Sequence, residues 1–268
     1  MIAGNGIYPR TFARAARRAG VIKLAVAAFL NETDPSLADE VDVVEWLRVG
    51  QLSKMIKFFQ REGITRAVMT GQISPKNLFE LRPDVRTMFM LGKLRQRNAE
   101  SIFGAIANEM EKDGIELIPA TTFLEDHLPK PGLVCGPKLK EKRQSEAAYG
   151  FRIAKEMSRL DVGQTVVVKN GTVLAVEAIE GTNEAIKRGG ALSKGGAIVV
   201  KVSKPNQDFR FDVPVVGPQT IEVASDAGIS AIVIEAHRTL LLNQREVEEL
   251  CTRRKISLIA MKEGDTHE

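Results

Sequence analysis

The fold is decided by residues 1–29, MIAGNGIYPRTFARAARRAGVIKLAVAAF. They contain a short apolar edge, a glycine turn at Gly4-Asn5-Gly6, a helical stretch over residues 11–19 and an apolar run over residues 23–29. A strand, a tight turn, a helix and a second strand in this order form a βαβ unit with parallel strands. The start of the chain therefore predicts an α/β fold.

The same alternation continues downstream. It predicts strands at residues 41–44, 66–70 and 115–119, and helices at residues 51–62 and 100–113, each closed by a glycine. Strands that alternate with helices form a mostly parallel sheet covered on both faces. We expect an N-terminal, Rossmann-like domain over residues 1–130.

A second domain is predicted over residues 138–268. Residues 129–137 contain three prolines and two glycines, which is typical of a linker. Beyond them, Asn170-Gly171 between two β-rich runs indicates a hairpin. The other elements predicted here are helices at 141–160, 221–227 and 244–254 and strands at 197–202, 231–235 and 257–261. The chain is thus expected to form two α/β domains.

Composition limits the function classes. The net charge of +4 is mild and aromatic residues make up 5%, which argues against a nucleic-acid partner. The two cysteines, Cys135 and Cys251, have neither zinc nor redox spacing, so we expect a reduced, cytoplasmic setting. We find neither a signal peptide nor an apolar run long enough to span a bilayer, so membrane contact is expected to be peripheral.

Two glycine turns are candidate substrate-binding segments. Gly4-Asn5-Gly6 lies between a strand and a helix, where backbone N–H groups and the helix dipole favour an anion. Gly71-Gln72 follows another predicted strand, at the end where doubly wound sheets bind ligands. A plain βα turn explains each of them equally well.

A third candidate segment runs from Glu177 to Asn183 and contains Glu180-Gly181-Thr182. Two glutamates in a mostly apolar run precede an apparent helix start, which brings acid groups and N-cap donors together. A capped helix with solvated glutamates is the alternative. Glutamates inside an apolar run favour a substrate-binding role.

Residues 201–214 form the segment richest in charge. Its candidate catalytic residues are Lys204, Asp208 and Asp212, with Arg210 as a substrate-binding residue. Phosphoryl hydrolysis uses this mixture, because carboxylates hold a divalent cation and basic groups neutralise phosphate charge. A solvated charged face is the alternative. Two interleaved phenylalanines indicate partial burial instead, and buried charges need partners.

Four stretches together resemble one family. They are IAGNGIYP at 2–9, VLAVEAIEGT at 173–182, KPNQD at 204–208 and RFDVP at 210–214. The family is the LpxI-type, metal-dependent UDP-2,3-diacylglucosamine pyrophosphatases of lipid A synthesis, a two-domain form unrelated to calcineurin-like phosphoesterases. The resemblance covers nearly the whole chain.

This resemblance implies an activity. It implies hydrolysis of UDP-2,3-diacylglucosamine to 2,3-diacylglucosamine 1-phosphate and UMP, in a cleft between the domains, with Mg²⁺ or another divalent cation such as Mn²⁺ or Co²⁺. Water would attack the α-phosphorus. Asp212 would be the metal ligand or water activator, Asp208 would assist with the metal, and Thr182 and Lys204 would contact phosphate. A peripheral contact with the inner membrane and a homodimer are also expected.

Three positions depart from the family pattern. Asn183 stands where an aspartate is common, Val215 where a threonine is common and His237 where a glycine is common. They leave open a non-catalytic protein that binds a nucleotide sugar or lipid. The first βαβ unit also leaves open a dinucleotide-dependent oxidoreductase. That hypothesis ranks last, because the third glycine of the fingerprint and a ribose-binding acid are missing.

Overall fold

A computed structural model describes residues 1–73, 83–96 and 98–264 and divides the chain into two compact units. Unit 1 contains Met1–Leu124 together with the short segment Asp208–Asp212. Unit 2 contains Glu125–Gln207 and the chain that follows Asp212. Both units are built from helices and parallel strands, which confirms the predicted α/β class.

Unit 1 is built around a parallel sheet. Its helices are α1 (Tyr8–Arg18), α2 (Leu52–Arg61), α3 (Val85–Gly92) and α4 (Ala99–Lys112). Its strands are β1 (Ile2–Ala3), β2 (Ala25–Phe29), β3 (Val43–Leu47), β4 (Arg66–Ala67), β5 (Met69–Thr70) and β6 (Glu116–Leu117). Four strands pair in the order β3-β2-β1-β5, and β4 pairs with β6 separately.

The first βαβ unit folds as predicted. β2 reads AVAAF, and this almost fully buried apolar run is what a strand covered on both faces requires. α1 begins with Pro9 in its first turn, where a missing N–H costs nothing, and buries Phe12 on its inner face. β1 and β2 are parallel, as a helical crossover demands.

The strand predicted over residues 66–70 is wrong in one respect. The structure contains two short strands there, which belong to different sheets: β4 pairs with β6, and β5 pairs with β1. A continuous apolar run predicts extended backbone but does not reveal which partner each residue meets. Helix α3 was not predicted, although Asp84 caps it by accepting a hydrogen bond from Thr87 N.

Unit 2 is built around a six-stranded sheet. Its helices are α5 (Glu141–Arg159), α6 (Thr182–Ser193), α7 (Pro218–Asp226) and α8 (Gln244–Arg254). Its strands are β7 (Gly132–Cys135), β8 (Thr165–Lys169), β9 (Thr172–Val176), β10 (Ala197–Lys201), β11 (Val215–Val216), β12 (Ile229–Glu235), β13 (Leu240–Leu241) and β14 (Ser257–Met261).

The order of this sheet is β7-β14-β12-β10-β8-β9. The central strands β10, β12 and β14 are parallel, whereas β7 and the β8–β9 hairpin are antiparallel edges. The Asn170-Gly171 turn joins β8 to β9, as predicted. In the described ranges, none of the helices is both long and apolar enough to cross a bilayer.

The predicted linker contains a strand. β7 lies within residues 129–137 and pairs with β14, so this stretch belongs to the sheet of unit 2. Prolines are tolerated here because they flank an edge strand, where a missing backbone N–H breaks no bond inside the sheet. Gly136 makes the approach possible, since a Cβ there would lie 1.9 Å from Ile256 O. The division between the units falls at residue 124, before this stretch.

The fold also brings the two cysteines together. Cys135 on β7 and Cys251 on α8 pack in the same apolar cluster, and the Cys251 thiol hydrogen-bonds to Cys135. This hydrogen bond lowers the pKa of Cys135. Their distance in the sequence gave no sign of this pairing, because strand and helix meet only in the folded unit.

Gly71→Ala tests a close backbone approach in unit 1. Gly71 has φ +81°, and a Cβ there would lie 2.5 Å from Asn5 O. Gly20→Ala is the matched control, because Gly20 has φ +87° and open space around it. We expect Gly71→Ala to lower the free energy of unfolding by about 1–3 kcal/mol more than the control, measured in urea. Equal losses would show that the close approach does not matter.

Candidate active site

The two glycine turns singled out in the sequence lie side by side. They follow the neighbouring parallel strands β1 and β5. Asn5 N donates to Gln72 O at 2.7 Å, and Gln72 N donates to Asn5 O at 3.3 Å. A Cβ on Gly4 would lie 2.3 Å from Gln72 O, so only glycine fits there. The two turns are therefore joined by backbone hydrogen bonds and pack directly on each other, Gly4 and Asn5 against Gly71 and Gln72.

A buried carboxylate at the end of β2 completes this edge of the sheet. Asn5 Nδ2 donates to Glu32 Oε2 at 2.6 Å, and Glu32 is buried. Thr33 Oγ1 donates to Ala3 O at 2.5 Å and fixes the same loop. Gly6 then turns the chain with φ +88° into the start of α1. The carboxyl ends of three neighbouring strands therefore present polar groups here, although sequence reasoning missed Glu32.

Residues Asp208–Asp212 form a closed turn in unit 1. The Asp208 carboxylate accepts from Arg210 Nε at 3.0 Å and from Arg210 Nη2 at 2.7 Å. Asp212 N donates to Asp208 O at 3.0 Å. The Arg210 hydrogen bonds hold the pKa of Asp208 below its ordinary value. Asp208 is thus an ionised group that fixes the direction of Arg210.

Two contacts anchor this turn in unit 1. The Phe211 ring packs on Phe103, with 5.7 Å between the ring centroids. Ala120 N donates to Phe209 O at 2.7 Å, and Ala120 O accepts from the Tyr8 hydroxyl at 2.6 Å. Tyr8 lies in the first turn of α1, directly after the glycine turn. The hydrogen bonds through Ala120 therefore connect the glycine turn to the Asp208–Asp212 turn.

In unit 2, Thr182 stands in a polar cluster at the start of α6. Its hydroxyl donates to Glu177 Oε1 at 2.8 Å and accepts from Lys201 Nζ at 3.2 Å. Glu177 Oε2 is buried and has no hydrogen-bond partner among the described residues. An unsatisfied buried carboxylate oxygen marks a place where a donor from a ligand or water would be stabilised. Glu177 is one of the two glutamates that the sequence singles out in this segment, and the structure joins it to Thr182.

Glu180 and Gly181 shape the same helix start. Gly181, with φ +83°, occupies the N-cap of α6, a backbone conformation that favours glycine. Glu180 Oε1 pairs with Arg188 Nη2 at 2.5 Å. Its own backbone N–H and Arg188 hold the pKa of the Glu180 carboxyl below its ordinary value. Glu180 therefore stabilises this turn through its ion pair with Arg188, independently of any contact with a ligand.

Lys204 lies in the loop that follows β10. Its ammonium pairs with Asp161, and its backbone N donates to Gln207 Oε1 at 2.6 Å. The side chain is partly exposed, at 23%. Its backbone carbonyl accepts from Arg238 Nη2 at 3.4 Å. Arg238 therefore ties this loop to the chain that follows β12.

A buried ionic network holds that loop from beneath. Glu235, 4% exposed at the end of β12, accepts from Ser203 N at 2.8 Å and from Lys155 Nζ at 3.1 Å. Arg238 Nε lies 3.6 Å from Glu235 Oε1 and 2.5 Å from Ser203 Oγ. Lys155, Glu235 and Arg238 are far from Ser203 in the sequence. Only the fold reveals that they hold Ser203, the residue before Lys204, in place.

Of the three departures from the family pattern, one has a local explanation in the structure. His237 has φ +59°, which accounts for a glycine being common at this position, and its N–H donates to Pro129 O. Val215 lies in β11, paired with β13. Asn183 lies in the first turn of α6, and nothing in the structure explains this residue.

The carboxylates of the Asp208–Asp212 turn could supply only part of the ligands of a metal ion. Among the described residues, no group of three or more His, Cys, Asp or Glu side chains is arranged to hold a metal ion. Both Asp208 oxygens accept from Arg210. Asp212 adds a second carboxylate to this turn, and carboxylate oxygens are the ligands that a hard cation prefers. Mg²⁺ commonly uses one or two carboxylates plus substrate phosphates, so the residues suit an ion shared with a phosphate ligand.

Fold and site together define an α/β protein whose two glycine turns follow the carboxyl ends of parallel strands, the ligand-binding edge of such sheets. Residues 1–127 match the LpxI N-terminal domain and residues 130–259 match the LpxI C-terminal domain. The chain therefore belongs to the LpxI family.

Two further comparisons differ greatly in weight. The protein named UDP-2,3-diacylglucosamine pyrophosphatase LpxI from Caulobacter vibrioides is 30% identical over 258 residues, which cover 92% of this chain and 91% of that protein. The crystal structure of a dCMP deaminase from the cyanophage S-TIM5 covers 46% of this chain and 100% of its own, with 16% identity and a TM-score of 0.27. The second likeness is too weak to bear on fold or function.

Glu235→Gln tests the buried network. The change leaves Lys155 and Arg238 without their carboxylate, and breaking a buried ion pair costs about 3–5 kcal/mol. We expect a loss of about 3 kcal/mol in the free energy of unfolding. The control is Glu249→Gln, whose pair with Arg245 is exposed, and it should change stability by about 0.5 kcal/mol or less. Similar losses in both variants would contradict the assignment.

Proposed function

We propose that this chain hydrolyses the pyrophosphate bond of UDP-2,3-diacylglucosamine, giving 2,3-diacylglucosamine 1-phosphate and UMP in lipid A biosynthesis. The observation that carries the proposal is that both LpxI domains match, one after the other, along one chain. A relative named for this pyrophosphatase also aligns over nearly the full length of both proteins.

In the proposed reaction, water attacks the α-phosphorus and Asp212 acts on that water or on its cation. A carboxylate can accept the water proton or bind a hard cation through oxygen. Asp208 holds Arg210 in one orientation through paired hydrogen bonds. Arg210 then neutralises charge that develops on the phosphate oxygens. We thus give Asp208 mainly the task of directing Arg210, with any contact to the cation secondary.

A divalent cation belongs to this proposal. Mg²⁺, or Mn²⁺ or Co²⁺ in its place, would be held by Asp212 and the phosphate oxygens of the substrate. When bound, it supplies Lewis-acid stabilisation of negative charge on the pyrophosphate. The support is that the turn offers carboxylate oxygens, the ligands that a hard cation prefers. Mg²⁺ also needs only one or two carboxylates when the substrate supplies phosphate oxygens.

The glycine turns are proposed to bind the nucleotide side of the substrate. Gly4, Asn5 and Gly6 lead into the N-terminus of α1, where backbone N–H groups favour anions. Gly71 and Gln72 are bonded to the same turn. Because Glu32 fixes the Asn5 amide, a ligand would meet a preformed set of donors.

In unit 2 we propose that Thr182 and Lys204 contact phosphate oxygens, with Glu180 and Gly181 shaping the loop. Glu177 and Lys201 orient the Thr182 hydroxyl. The Lys204 backbone is fixed by Gln207 and Arg238, so its side chain starts from a defined point. A positioned hydroxyl and ammonium are suitable donors to a charged phosphate.

The setting of the reaction is also proposed. A substrate with two acyl chains is delivered from a lipid layer, so we infer a cytoplasmic protein in peripheral contact with the inner membrane. A homodimer is compatible with this setting. The mild net charge of +4 agrees with an anionic lipid surface and offers no reason to invoke a nucleic acid.

Asp212→Asn tests the central assignment. We expect kcat to fall by about 100-fold or more, because the amide neither accepts a proton nor binds a cation as a carboxylate does. The measurement is UMP release from UDP-2,3-diacylglucosamine dispersed in detergent. Asp39→Asn is the matched control, since Asp39 is exposed in the same unit. Normal turnover in Asp212→Asn would refute the assignment.

Removal of divalent cations tests the metal. After treatment with EDTA and dialysis, we expect turnover to be lost and to return when Mg²⁺ is added. Asp212→Asn should need more Mg²⁺ for half of its own maximal rate, whereas Asp39→Asn should need the ordinary amount. Full turnover in EDTA would disprove the proposed dependence while leaving the hydrolytic activity itself established.

A further inference from the structure

Helix α3 exposes an apolar face in unit 1. Val85 is 69% exposed, Met88 60% and Phe89 70%. Positions i, i+3 and i+4 of a helix lie on one side, so these three side chains are neighbours. Among the other exposed large apolar residues of the described structure, Ile22 and Ile179 are isolated along the chain, whereas Leu160 and Val162 form a second, smaller pair.

The N-terminus of α3 is firmly held. Asp84 Oδ1 accepts from Thr87 N at 2.9 Å, and Asp84 Oδ2 accepts from Ser53 N at 2.6 Å. Thr87 Oγ1 donates to Gly50 O at 2.7 Å. The cap residue thus ties α3 to the loop that starts α2, and the apolar face has a fixed direction.

The side of α3 opposite to the exposed face is equally well fixed. Arg86 Nε pairs with Glu109 Oε2 at 2.7 Å, and Arg86 Nη1 pairs with Asp113 Oδ2 at 2.5 Å. Met90 is buried in the core of unit 1. These contacts fix the orientation of α3, so Val85, Met88 and Phe89 are directed away from the core of unit 1. A contiguous apolar surface on a well-ordered element is typical of an interaction site.

Charge near this face indicates what it contacts. The helix contains no acidic residue between Val85 and Gly92, and Lys93 and Arg95 follow it directly, both exposed. Apolar side chains beside basic ones are the pattern of a helix that lies on an anionic bilayer. In such a helix the apolar side chains enter the boundary of the acyl chains, and the basic groups meet the anionic head groups.

We propose that the face of Val85, Met88 and Phe89, with Lys93 and Arg95 beside it, docks unit 1 onto an anionic bilayer surface. The inference rests on the membrane contact proposed above and names the surface that makes it. It does not depend on the hydrolytic mechanism. None of these five residues belongs to the glycine turns or to the turn that carries Asp212.

The experiment measures co-sedimentation of the full chain with vesicles of phosphatidylethanolamine and phosphatidylglycerol. The double variant Met88→Ser/Phe89→Ser removes most of the apolar face, and we expect its partition to fall by about tenfold or more. Ile22→Ser is the matched control, since Ile22 is 92% exposed in the same unit, and it should partition as the unchanged protein does. Urea unfolding verifies that both variants remain folded.

A second variant tests the charge. Lys93→Gln/Arg95→Gln should weaken binding to vesicles with phosphatidylglycerol and leave the weak binding to purely zwitterionic vesicles unchanged. Added salt should reproduce the same loss in the unchanged protein. Equal binding by the apolar double variant and the unchanged protein would overturn the proposal. An equal loss in Ile22→Ser would also overturn it.

Two further readouts separate the inference from its rivals. If Met88→Ser/Phe89→Ser turns a dimer into a monomer in analytical ultracentrifugation without changing vesicle binding, the face contacts a second copy and the proposal is wrong. Turnover of detergent-dispersed substrate should be unaffected by the variant. Vesicle binding without any turnover in the unchanged protein would refute the proposed function alone, whereas turnover without vesicle binding would refute this inference alone.

Discussion

The Asp208–Asp212 turn of unit 1 depends on its contacts with the rest of that unit. Phe211, which is half-buried, packs on Phe103 and against the apolar core of unit 1, although the chain before Asp208 and after Asp212 belongs to unit 2. Full burial of a phenylalanine is worth about 1.5–3 kcal/mol, so a half-buried ring offsets part of the cost of ordering the turn. The hydrogen bonds inside the turn then transmit this fixed point to the charged side chains. Asp208 and Arg210 are therefore held in place by the Phe211 ring contact and by the hydrogen bond from Ala120 N–H to Phe209 O.

In unit 2 an electrostatic constraint has the equivalent task. Glu235 is buried, and a buried carboxylate is tolerated only when donors and cations surround it. Lys155, Arg238 and the Ser203 N–H and hydroxyl provide them. The cations that neutralise Glu235 thus hold Ser203 in place, and with it the start of the loop that carries Lys204.

The sequence predicts local structure better than long-range pairing. The first βαβ unit and the hairpin at Asn170-Gly171 follow from periodicity and turn chemistry, and both are present. The strand over residues 66–70 is divided between two sheets and residues 129–137 contain an edge strand, because apolar patterns do not specify partners. Glu32 and Glu235 were missed for the same reason: each contacts residues that are distant in sequence. The predicted site residues come from contiguous motifs, such as the segment that ends in Asp212.

A site with so few carboxylates has a consequence for how ligands bind. A cage of three or more protein ligands would hold a cation before substrate arrives, and the described residues form none. With Asp208 committed to Arg210, a cation at Asp212 would obtain most of its ligands from phosphate oxygens and water. Cation and substrate would then raise each other's affinity by the same factor, because coupling between two bound ligands is reciprocal. On the proposed function, the substrate is thus part of its own metal site, and the protein contributes the one carboxylate that decides where the cation stands.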